Sequence, residues 1–209
     1  MTRTGGGRST RGSGILENTL ADWRCRVAES LLRASACERG DHESTLDIGC
    51  GGFPRLLDRS DAALRVGLDC QNRDEWADVV RESSIRLLVH DLAAARHLPL
   101  RSATFNSVSL LAVIEHLGAA EVAATLREAH RVLLDEGRLV ITAPSVWGHA
   151  LLGPMSRAGL VSREEIEEHK RGYTPAGLKE ALGEAGFHNS RISSGYFQLG
   201  MNCWAVAQK

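Results

Sequence analysis

The sequence predicts an α/β domain built on a doubly wound, mostly parallel sheet. From residue 45 onward, short runs rich in Val, Ile and Leu alternate with stretches of helical periodicity, a pattern typical of parallel strands covered on both faces. A glycine-rich turn follows the first run, and two further apolar segments close the chain. The 209 residues fit one domain, and a hydrophobic fraction of 43% is enough for a sizeable core.

The amino-terminal part is predicted to contain a tail and one helix. Residues 1–14 carry almost no apolar side chain, so they cannot offset the entropy of ordering, and we expect a disordered tail. The single domain is expected over residues 15–209 and begins with a helix within 15–40. Apolar residues recur there at three- and four-residue steps and form one stripe. Its members are Leu16, Leu20, Trp23, Val27 and Leu31, of which we expect Trp23 to pack in the core.

Five strands and four further helices are predicted in order. The strands are TLDIGC (45–50), LRVGLDC (64–70), IRLLVHDL (85–92), FNSVSLLAVI (105–114) and GRLVITAPS (137–145). The helices begin near Pro54, span NRDEWADVVRES (72–83) and EVAATLREAHRVLL (121–134), and open at Thr174-Pro175. Thr is a favourable N-cap there, and Pro suits the first helical position. The last apolar segments, around 187–194 and 196–207, predict an antiparallel hairpin at the sheet edge, which completes a seven-stranded sheet.

Charge and cysteine content narrow the function classes. The 25 basic and 26 acidic side chains create no overall field that favours nucleic acid or an anionic membrane. No apolar run is long enough to span a bilayer, and the amino terminus has no apolar signal core, so a cytoplasmic location is expected. The five cysteines include no close CxxC pair, so we expect reduced, mostly buried thiols rather than a zinc site or a disulfide framework.

The first chemistry-bearing segment is LDIGCGGFP, residues 46–54. Asp47 ends the predicted first strand, and a turn containing Gly49 and Gly51 follows. Glycine lets a backbone approach a ligand without a Cβ in the way. The helix that this turn opens presents free N–H groups to the crevice at the carboxyl ends of the strands.

Two more acids follow the next two strands. Asp69 lies 20 residues after Gly49 and can accept hydrogen bonds from both hydroxyls of a ribose, although a surface acid at a strand end is the alternative. Asp91 could accept a hydrogen bond from the exocyclic amine of an adenine, and the backbone of Leu92 can meet the ring edge. Strands often end in Asp, so this position alone leaves both interpretations open.

Together these segments resemble class I S-adenosylmethionine-dependent methyltransferases, specifically the type 11 family, over residues 45–209. Further stretches of resemblance are LPLRSATFNSVSLLAVIEHL, REAHRVLLDEGRLVITAPS and YTPAGLKEALGEAGF. The resemblance implies a Rossmann-like fold, S-adenosylmethionine as cofactor and methyl transfer as activity. The cofactor-binding residues that it implies are Asp47, Gly49, Cys50 and Gly51 for the methionine part, Asp69 and the adjacent Cys70 at the ribose, Asp91 and Leu92 at the adenine, and the backbone near Ala112 at the amino-acid end.

Two positions depart from the family pattern. The third glycine of the usual GxGxG turn is Phe53 here, so Gly52 is expected to supply the flexibility and the path of the loop stays open. The acid that the family often has before the fourth strand is Asn106. That acid is expected to be structural, so the change should have little consequence.

The acceptor side is predicted from two segments. Glu115-His116 follows the fourth strand, where His116 could act as a general base or simply pack and bond the loop. No metal site is expected, because too few ligands come together. Residues 144–173 lie between the fifth strand and the next helix and predict a lid over the acceptor, with an extra helical pair as the alternative. The candidate substrate residues are Trp147, His149, His169 and Tyr173.

The expected acceptor is a small molecule or a lipid- or sugar-linked metabolite rather than a nucleic acid, without membrane insertion, and the oligomeric state is left open. One alternative is a nicotinamide-dependent oxidoreductase, which shares the turn and the ribose acid. Its GxGxxG fingerprint, however, has Pro54 at the third glycine. The other is a non-catalytic S-adenosylmethionine-binding scaffold that activates a partner, since a fold alone does not establish an activity.

Overall fold

The computed structural model describes residues 15–33, 43–70, 76, 83–148 and 172–209. Its helices are α1 (Ile15–Arg33), α2 (Arg55–Asp58), α3 (Ala119–Val132) and α4 (Pro175–Glu184). Its strands are β1 (Ser44–Ile48), β2 (Leu64–Asp69), β3 (Ile85–Val89), β4 (Phe105–Leu111), β5 (Leu133–Pro144), β6 (Ile192–Phe197) and β7 (Asn202–Gln208). Two 3-10 turns cover Ile114–His116 and Asn189–Arg191. The predicted tail at 1–14, residues 34–40 and all of the predicted helix at 72–83 except Trp76 and Ser83 lie outside the described residues.

The described strands form one sheet in the order β3-β2-β1-β4-β5-β7-β6. The first five pair in parallel, whereas β7 is antiparallel to β5 and β6 is antiparallel to β7. The predicted fold class, with its closing hairpin, is therefore confirmed. The strand order reverses between β1 and β4, and in open α/β sheets ligands bind outside the carboxyl ends of the strands at such a switch point.

The two faces of the sheet differ in character because strand side chains alternate between them. The face under α3 and α4 holds most of the apolar core. Its buried members include Leu46, Ile48, Val108, Leu110, Leu139 and Ile141 from the strands and Val122, Leu126, Leu178 and Leu182 from the helices. The face under α1 and α2 has a smaller apolar cluster, formed by Cys25, Ala28, Leu56 and Val140. The register places Ser109 between Asp47 and Val140 on this second face, so a buried carboxyl lies among its apolar side chains.

Helix α1 packs on the sheet through small side chains. Cys25 and Ala28 are buried, whereas Trp23 is 48% exposed, so the prediction that Trp23 packs in the core is wrong. The buried side of α1 is centred on positions 25 and 28. At about 100° per residue, Trp23 is turned roughly 200° away from Cys25. Small residues at the contact let the helix approach the sheet closely.

Several strand boundaries differ from the predictions for local reasons. The third strand ends at Val89, because the carboxylate of Asp91 caps a turn by accepting the N–H of Ala93 at 2.8 Å. The fourth ends at Leu111, because Ala112 is left-handed with φ 58°. The fifth begins four residues early, at Leu133.

The carboxyl-terminal elements follow the predicted order. The hairpin turn lies at 198–201 rather than near residue 195, and left-handed residues at Gln198, Leu199 and Gly200 form it. Helix α4 begins as predicted, with the Thr174 hydroxyl accepting the N–H of Gly177 at 3.1 Å. No helix within the described ranges has the length and apolar character needed to span a bilayer.

Candidate functional site

The carboxyl ends of the parallel strands bring most of the predicted cofactor residues to one edge of the sheet. Gly49 follows β1, Asp69 ends β2, Asp91 lies two residues after β3, and Ala112 follows β4. The backbone N–H groups of Gly49 and Cys50 both donate to the carbonyl of Leu68, at 2.6 and 3.0 Å. The backbone N–H of His90 donates to the backbone carbonyl of Asp69 at 2.8 Å. These bonds join the loops after β1, β2 and β3 into one continuous rim.

The glycine turn takes a left-handed path at two positions, Gly49 with φ 76° and Gly51 with φ 69°. A Cβ at Gly49 would lie 2.3 Å from Cγ2 of Val113, so the turn and the loop after β4 touch with no room for a side chain. Phe53, which replaces the third family glycine, packs on Leu57 and Ile85 in a small cluster. The turn therefore requires glycine at positions 49 and 51, whereas the side chain of Phe53 packs partly buried against a small apolar cluster.

Asp69 lies against the turn. Its carboxylate Oδ2 accepts the N–H of Gly51 at 2.9 Å, and the residue is only 9% exposed. The other carboxylate oxygen, Oδ1, accepts a bond from the thiol of Cys70 at 3.7 Å. Cys70, the next residue, is exposed.

Trp76 contacts the glycine turn, and the sequence did not predict this contact. Its indole Nε1 donates to the carbonyl of Gly51 at 3.0 Å, and the side chain is buried. The N–H of Gly51 thus bonds to Asp69 while its C=O bonds to Trp76, which fixes the turn from both sides. A tryptophan seven residues after Asp69 was the only available signal, and by itself it reads as an ordinary core residue of a helix.

Asp47 is buried under α1 rather than exposed at the rim. The hydroxyl of Ser109 donates to its Oδ1 at 2.6 Å. Burial raises the pKa of Asp47 from its ordinary value of 3.8 to about 7; the Ser109 bond acts in the opposite direction, and the charge of Asp69 adds to the rise. The thiol of Cys25 in α1 has its pKa raised to about 12, mainly by burial and then by the charge of Asp47.

Asp91 is exposed and takes part in local structure. Its Oδ1 accepts the N–H groups of Ala93 at 2.8 Å and Ala94 at 3.4 Å, and its carbonyl accepts that of Ala95. The side chain of Leu92 packs partly buried against the main core. Asp91 therefore has the local structural role of an acid at a strand end, at the same edge of the sheet as Asp69.

The loop after β4 carries backbone strain and a buried carboxyl group. Ala112 is left-handed and donates its N–H to Thr142 at 3.0 Å, a conformation that costs a non-glycine residue about 1–2 kcal/mol. Glu115 is fully buried. Burial raises its pKa to about 7, while a backbone hydrogen bond and the charge of Arg24 act in the opposite direction. His116 is half-buried beside it.

Two of the four predicted substrate residues, Trp147 and Tyr173, lie within the described residues. Trp147 is 73% exposed just past β5. Tyr173 is half-buried, and its hydroxyl donates to the carbonyl of Ile114 at 2.9 Å, which ties it to the loop after β4. His149, His169 and the rest of the predicted lid between residues 149 and 171 lie outside the described residues. Among the described residues, no three His, Cys, Asp or Glu side chains form a group that could hold a metal ion.

The segment that carries Trp147 is held against the β6–β7 turn. The hydroxyl of Ser145 donates to the carbonyl of Gly200 at 2.6 Å, and its N–H donates to the carbonyl of Met201 at 2.9 Å. Tyr173 pairs with Ser145 as an isolated parallel bridge, so both ends of the predicted lid start from one fixed place at the carboxyl edge.

Residues 46–141 match the family model described as a methyltransferase domain, type 11. No curated protein matches the sequence. Among solved structures, an S-adenosylmethionine-dependent methyltransferase from Archaeoglobus fulgidus is 17% identical with a TM-score of 0.66, and the alignment covers 96% of each chain. The methyltransferase in a complex with the Trm112 methyltransferase activator from Haloferax volcanii is 17% identical over 91% of this chain and 92% of that one, with a TM-score of 0.65. An S-adenosylmethionine-dependent methyltransferase from Mesorhizobium loti is 18% identical over 86% and 96%, with a TM-score of 0.60.

Proposed function

We propose that the chain is a class I S-adenosylmethionine-dependent methyltransferase of the type 11 family and that it methylates a small molecule or a lipid- or sugar-linked metabolite. The observation that carries this function is the rim in which the left-handed glycine turn, Asp69 and the strained Ala112 meet at the switch point of the sheet. Each of these features is proposed to bind a different part of S-adenosylmethionine.

The residues at the rim fit this cofactor. The turn follows a left-handed path at Gly49 and Gly51 and carries no side chain at either position, and we assign the methionine part to this turn, including Cys50. Asp69, with Cys70 beside it, is assigned to the ribose, because it is an acid at the carboxyl end of β2 that lies against the glycine turn.

The other assigned contacts use the neighbouring loops. The backbone of Ala112, which is left-handed directly after β4, is assigned to the amino-acid end, and Asp91 with Leu92 is assigned to the adenine. Asp47 acts on this site from beneath, as a buried acid that holds the β1 end through Ser109.

Bound S-adenosylmethionine supplies a methyl group that is already activated on a positively charged sulfur. Transfer of that methyl group to a lone pair of the acceptor would leave S-adenosylhomocysteine as the second product. The protein therefore has to align the acceptor with the methyl group and exclude water, rather than build a strong nucleophile. A hydroxyl acceptor must also lose a proton.

His116 is the residue proposed to take that proton. It lies in the 3-10 turn directly after the loop that contains Ala112, so it is on the same edge as the transferring methyl group. A neutral imidazole accepts a proton near physiological pH. A nitrogen acceptor that is already unprotonated, or an activated carbon, would need no such base.

Charge and the segment past β5 support the acceptor class. The chain has a net charge of −1, which lacks the strongly basic footprint typical of nucleic-acid binding. Val146 and Trp147 leave large apolar side chains exposed at the carboxyl edge, which suits an acceptor with apolar surface. Residues 144–173, anchored at Ser145 and Tyr173, are proposed to form the acceptor side of the site.

A screen with S-adenosylmethionine labelled in its methyl group tests this function. The full chain is incubated with separate pools of small metabolites, lipid- and sugar-linked extracts, RNA and protein. Label in either of the first two pools is expected. Label only in RNA or protein would refute the proposed acceptor class, and no label from a chain that binds the cofactor would favour the scaffold alternative.

Variants of the acceptor side sharpen the same test. Trp147→Ala is expected to lower acceptor use while leaving cofactor affinity unchanged, and Tyr196→Ala, an exposed aromatic on the edge strand, is its control. Tyr173→Phe removes the bond to Ile114 and should raise the KM for the acceptor. Equal losses of acceptor use and cofactor affinity would indicate a structural role for this segment.

A further inference from the structure

Helix α1 runs antiparallel to β5, with its first half at the carboxyl edge of the sheet. Near the end of α1, the Leu31 carbonyl accepts a bond from Arg138 at the start of the core-forming part of β5. Near its beginning, the Leu20 carbonyl accepts a bond from Gln198 in the β6–β7 turn, which lies beside the carboxyl end of β5. The residues between Leu20 and Cys25 therefore lie beside the rim that carries the glycine turn.

Arg24 lies on the side of this helix that faces away from α2. Asp22 marks the α2 side, since it pairs with Arg55 at 3.0 Å and with Arg59 at 3.2 Å. Two residues advance a helix by about 200°, so Arg24 is turned to the opposite side and aligns with Leu20, one turn earlier. The helix as a whole packs on β4 and β5.

The charge of Arg24 acts on the buried carboxyl group of the loop after β4. This charge opposes the burial-driven rise in the pKa of Glu115, so the two groups interact electrostatically. Arg24 is half-buried, and no hydrogen bond or ion pair between described residues engages its side chain. A half-buried guanidinium at the rim is thus available to a ligand that carries an anionic group.

We propose that Arg24 binds the carboxylate of the cofactor's methionine part. This inference rests on the proposed placement of that part between the glycine turn and Ala112. The planar guanidinium presents paired donors that match a carboxylate, a geometry that a lysine ammonium cannot reproduce. The charge of Arg24 also acts on the buried Glu115 in the loop after β4, next to the proposed place of the carboxylate.

Two ligands distinguish this contact from a general role in folding. S-adenosylhomocysteine carries the amino-acid carboxylate, whereas 5′-methylthioadenosine has the same adenine, ribose and thioether without it. Their affinities are measured by isothermal titration for the full wild-type chain and for Arg24→Met, Arg24→Lys and Arg26→Met. Arg26 is an exposed arginine on the same helix and serves as the matched control.

Arg24→Met is expected to weaken S-adenosylhomocysteine binding at least ~10-fold, since a charge-assisted hydrogen bond is typically worth that factor or more. Its affinity for 5′-methylthioadenosine should stay within about twofold, on the same estimate. Arg24→Lys should recover only part of the loss, and Arg26→Met should change neither affinity.

Equal weakening of both ligands in a folded Arg24→Met protein would overturn the proposal, as would unchanged binding of S-adenosylhomocysteine. A lower melting temperature with both affinities intact would also overturn it, because Arg24 would then serve Glu115 alone. Acceptor methylation is measured on the same wild-type preparation. Its absence, together with an Arg24-dependent preference for S-adenosylhomocysteine, would refute the proposed acceptor class and support the carboxylate contact.

Discussion

The hydroxyl of Ser109 on β4 donates a 2.6 Å hydrogen bond to the carboxylate of Asp47 on β1, beneath helix α1. Both residues are buried, so one polar pair joins the two strands that flank the switch point. A buried carboxyl in such a place is costly when charged, which is why the pKa of Asp47 rises to about 7.

Replacing Asp47 by Asn should change how stability depends on pH. Because the folded pKa of about 7 exceeds the ordinary 3.8, the folded state binds more protons in between, so the free energy of unfolding falls as pH rises through this range and levels off above it. Asp47→Asn removes this contribution, so its melting temperature should drop less than that of the wild type between pH 5 and pH 8. The buried Glu115 acts in the same direction but is present in both proteins.

The exposed Asp61→Asn variant is the control and should track the wild type. Parallel melting curves for wild type and Asp47→Asn across this pH range would show that Asp47 is already ionised in the folded protein.

Gly49→Ala should destabilise the protein through two separable effects. The left-handed φ of 76° costs an alanine about 1–2 kcal/mol, and the new Cβ would overlap Val113, where overpacking costs about 1–3 kcal/mol. Gly200→Ala has a similar φ of 83° and open space, so it isolates the backbone cost. Urea unfolding should give a larger loss for Gly49→Ala, and adding Val113→Ala should recover part of it.

Equal losses at Gly49 and Gly200, with no recovery from Val113→Ala, would mean that the turn and the loop after β4 do not touch as described.

Trp76→Phe should weaken cofactor binding while the fold persists. The substitution keeps an aromatic side chain and removes the indole N–H that bonds to Gly51, a loss of about 0.5–1.5 kcal/mol or roughly 2- to 10-fold in affinity. Titration with S-adenosylhomocysteine measures it, with the exposed Trp147→Phe as control. If Trp76→Phe binds as tightly as wild type, the bond to Gly51 does not organise the turn.

The fold was predictable because its signals are local and repeated, but the detailed contacts depend on packing. Alternating strands and helices gave the sheet and its closing hairpin, and Thr174 correctly marked the start of α4. Trp23 was misplaced because periodicity locates an apolar stripe only approximately, whereas small residues decided which side of α1 contacts the sheet. The end of β4 was missed because nothing in an alanine announces the left-handed φ of Ala112.

The placement of the candidate site was predictable in the same way, but its individual contacts were not. The sequence placed Asp69 and the glycine turn at one edge, because the carboxyl ends of parallel strands meet there. It could not foresee that Trp76 bonds to Gly51, since that contact joins segments whose relative placement only the folded chain defines. Nor could it foresee the role proposed for Arg24, which lies on a helix that precedes the first strand.

His116→Ala should lower turnover by about 10²–10⁴-fold if His116 removes the acceptor proton, with little change in cofactor affinity. His116→Gln keeps a polar side chain without the proton transfer and should be similarly slow. The pH–rate profile of either variant should lose an ascending limb near the histidine pKa. Near-normal turnover in both would make His116 a packing residue and direct the search for a base to His149 or His169.

The most direct test of the account is the binding of S-adenosylhomocysteine and of oxidised nicotinamide dinucleotide to the wild type and to Asp69→Ala, measured by isothermal titration. We expect the wild type to bind S-adenosylhomocysteine in preference to the dinucleotide. The account also predicts that Asp69→Ala, still folded, loses about 1.5–3 kcal/mol of binding free energy for each charge-assisted ribose bond. Preference for the dinucleotide, or S-adenosylhomocysteine affinity unchanged in Asp69→Ala, would contradict it.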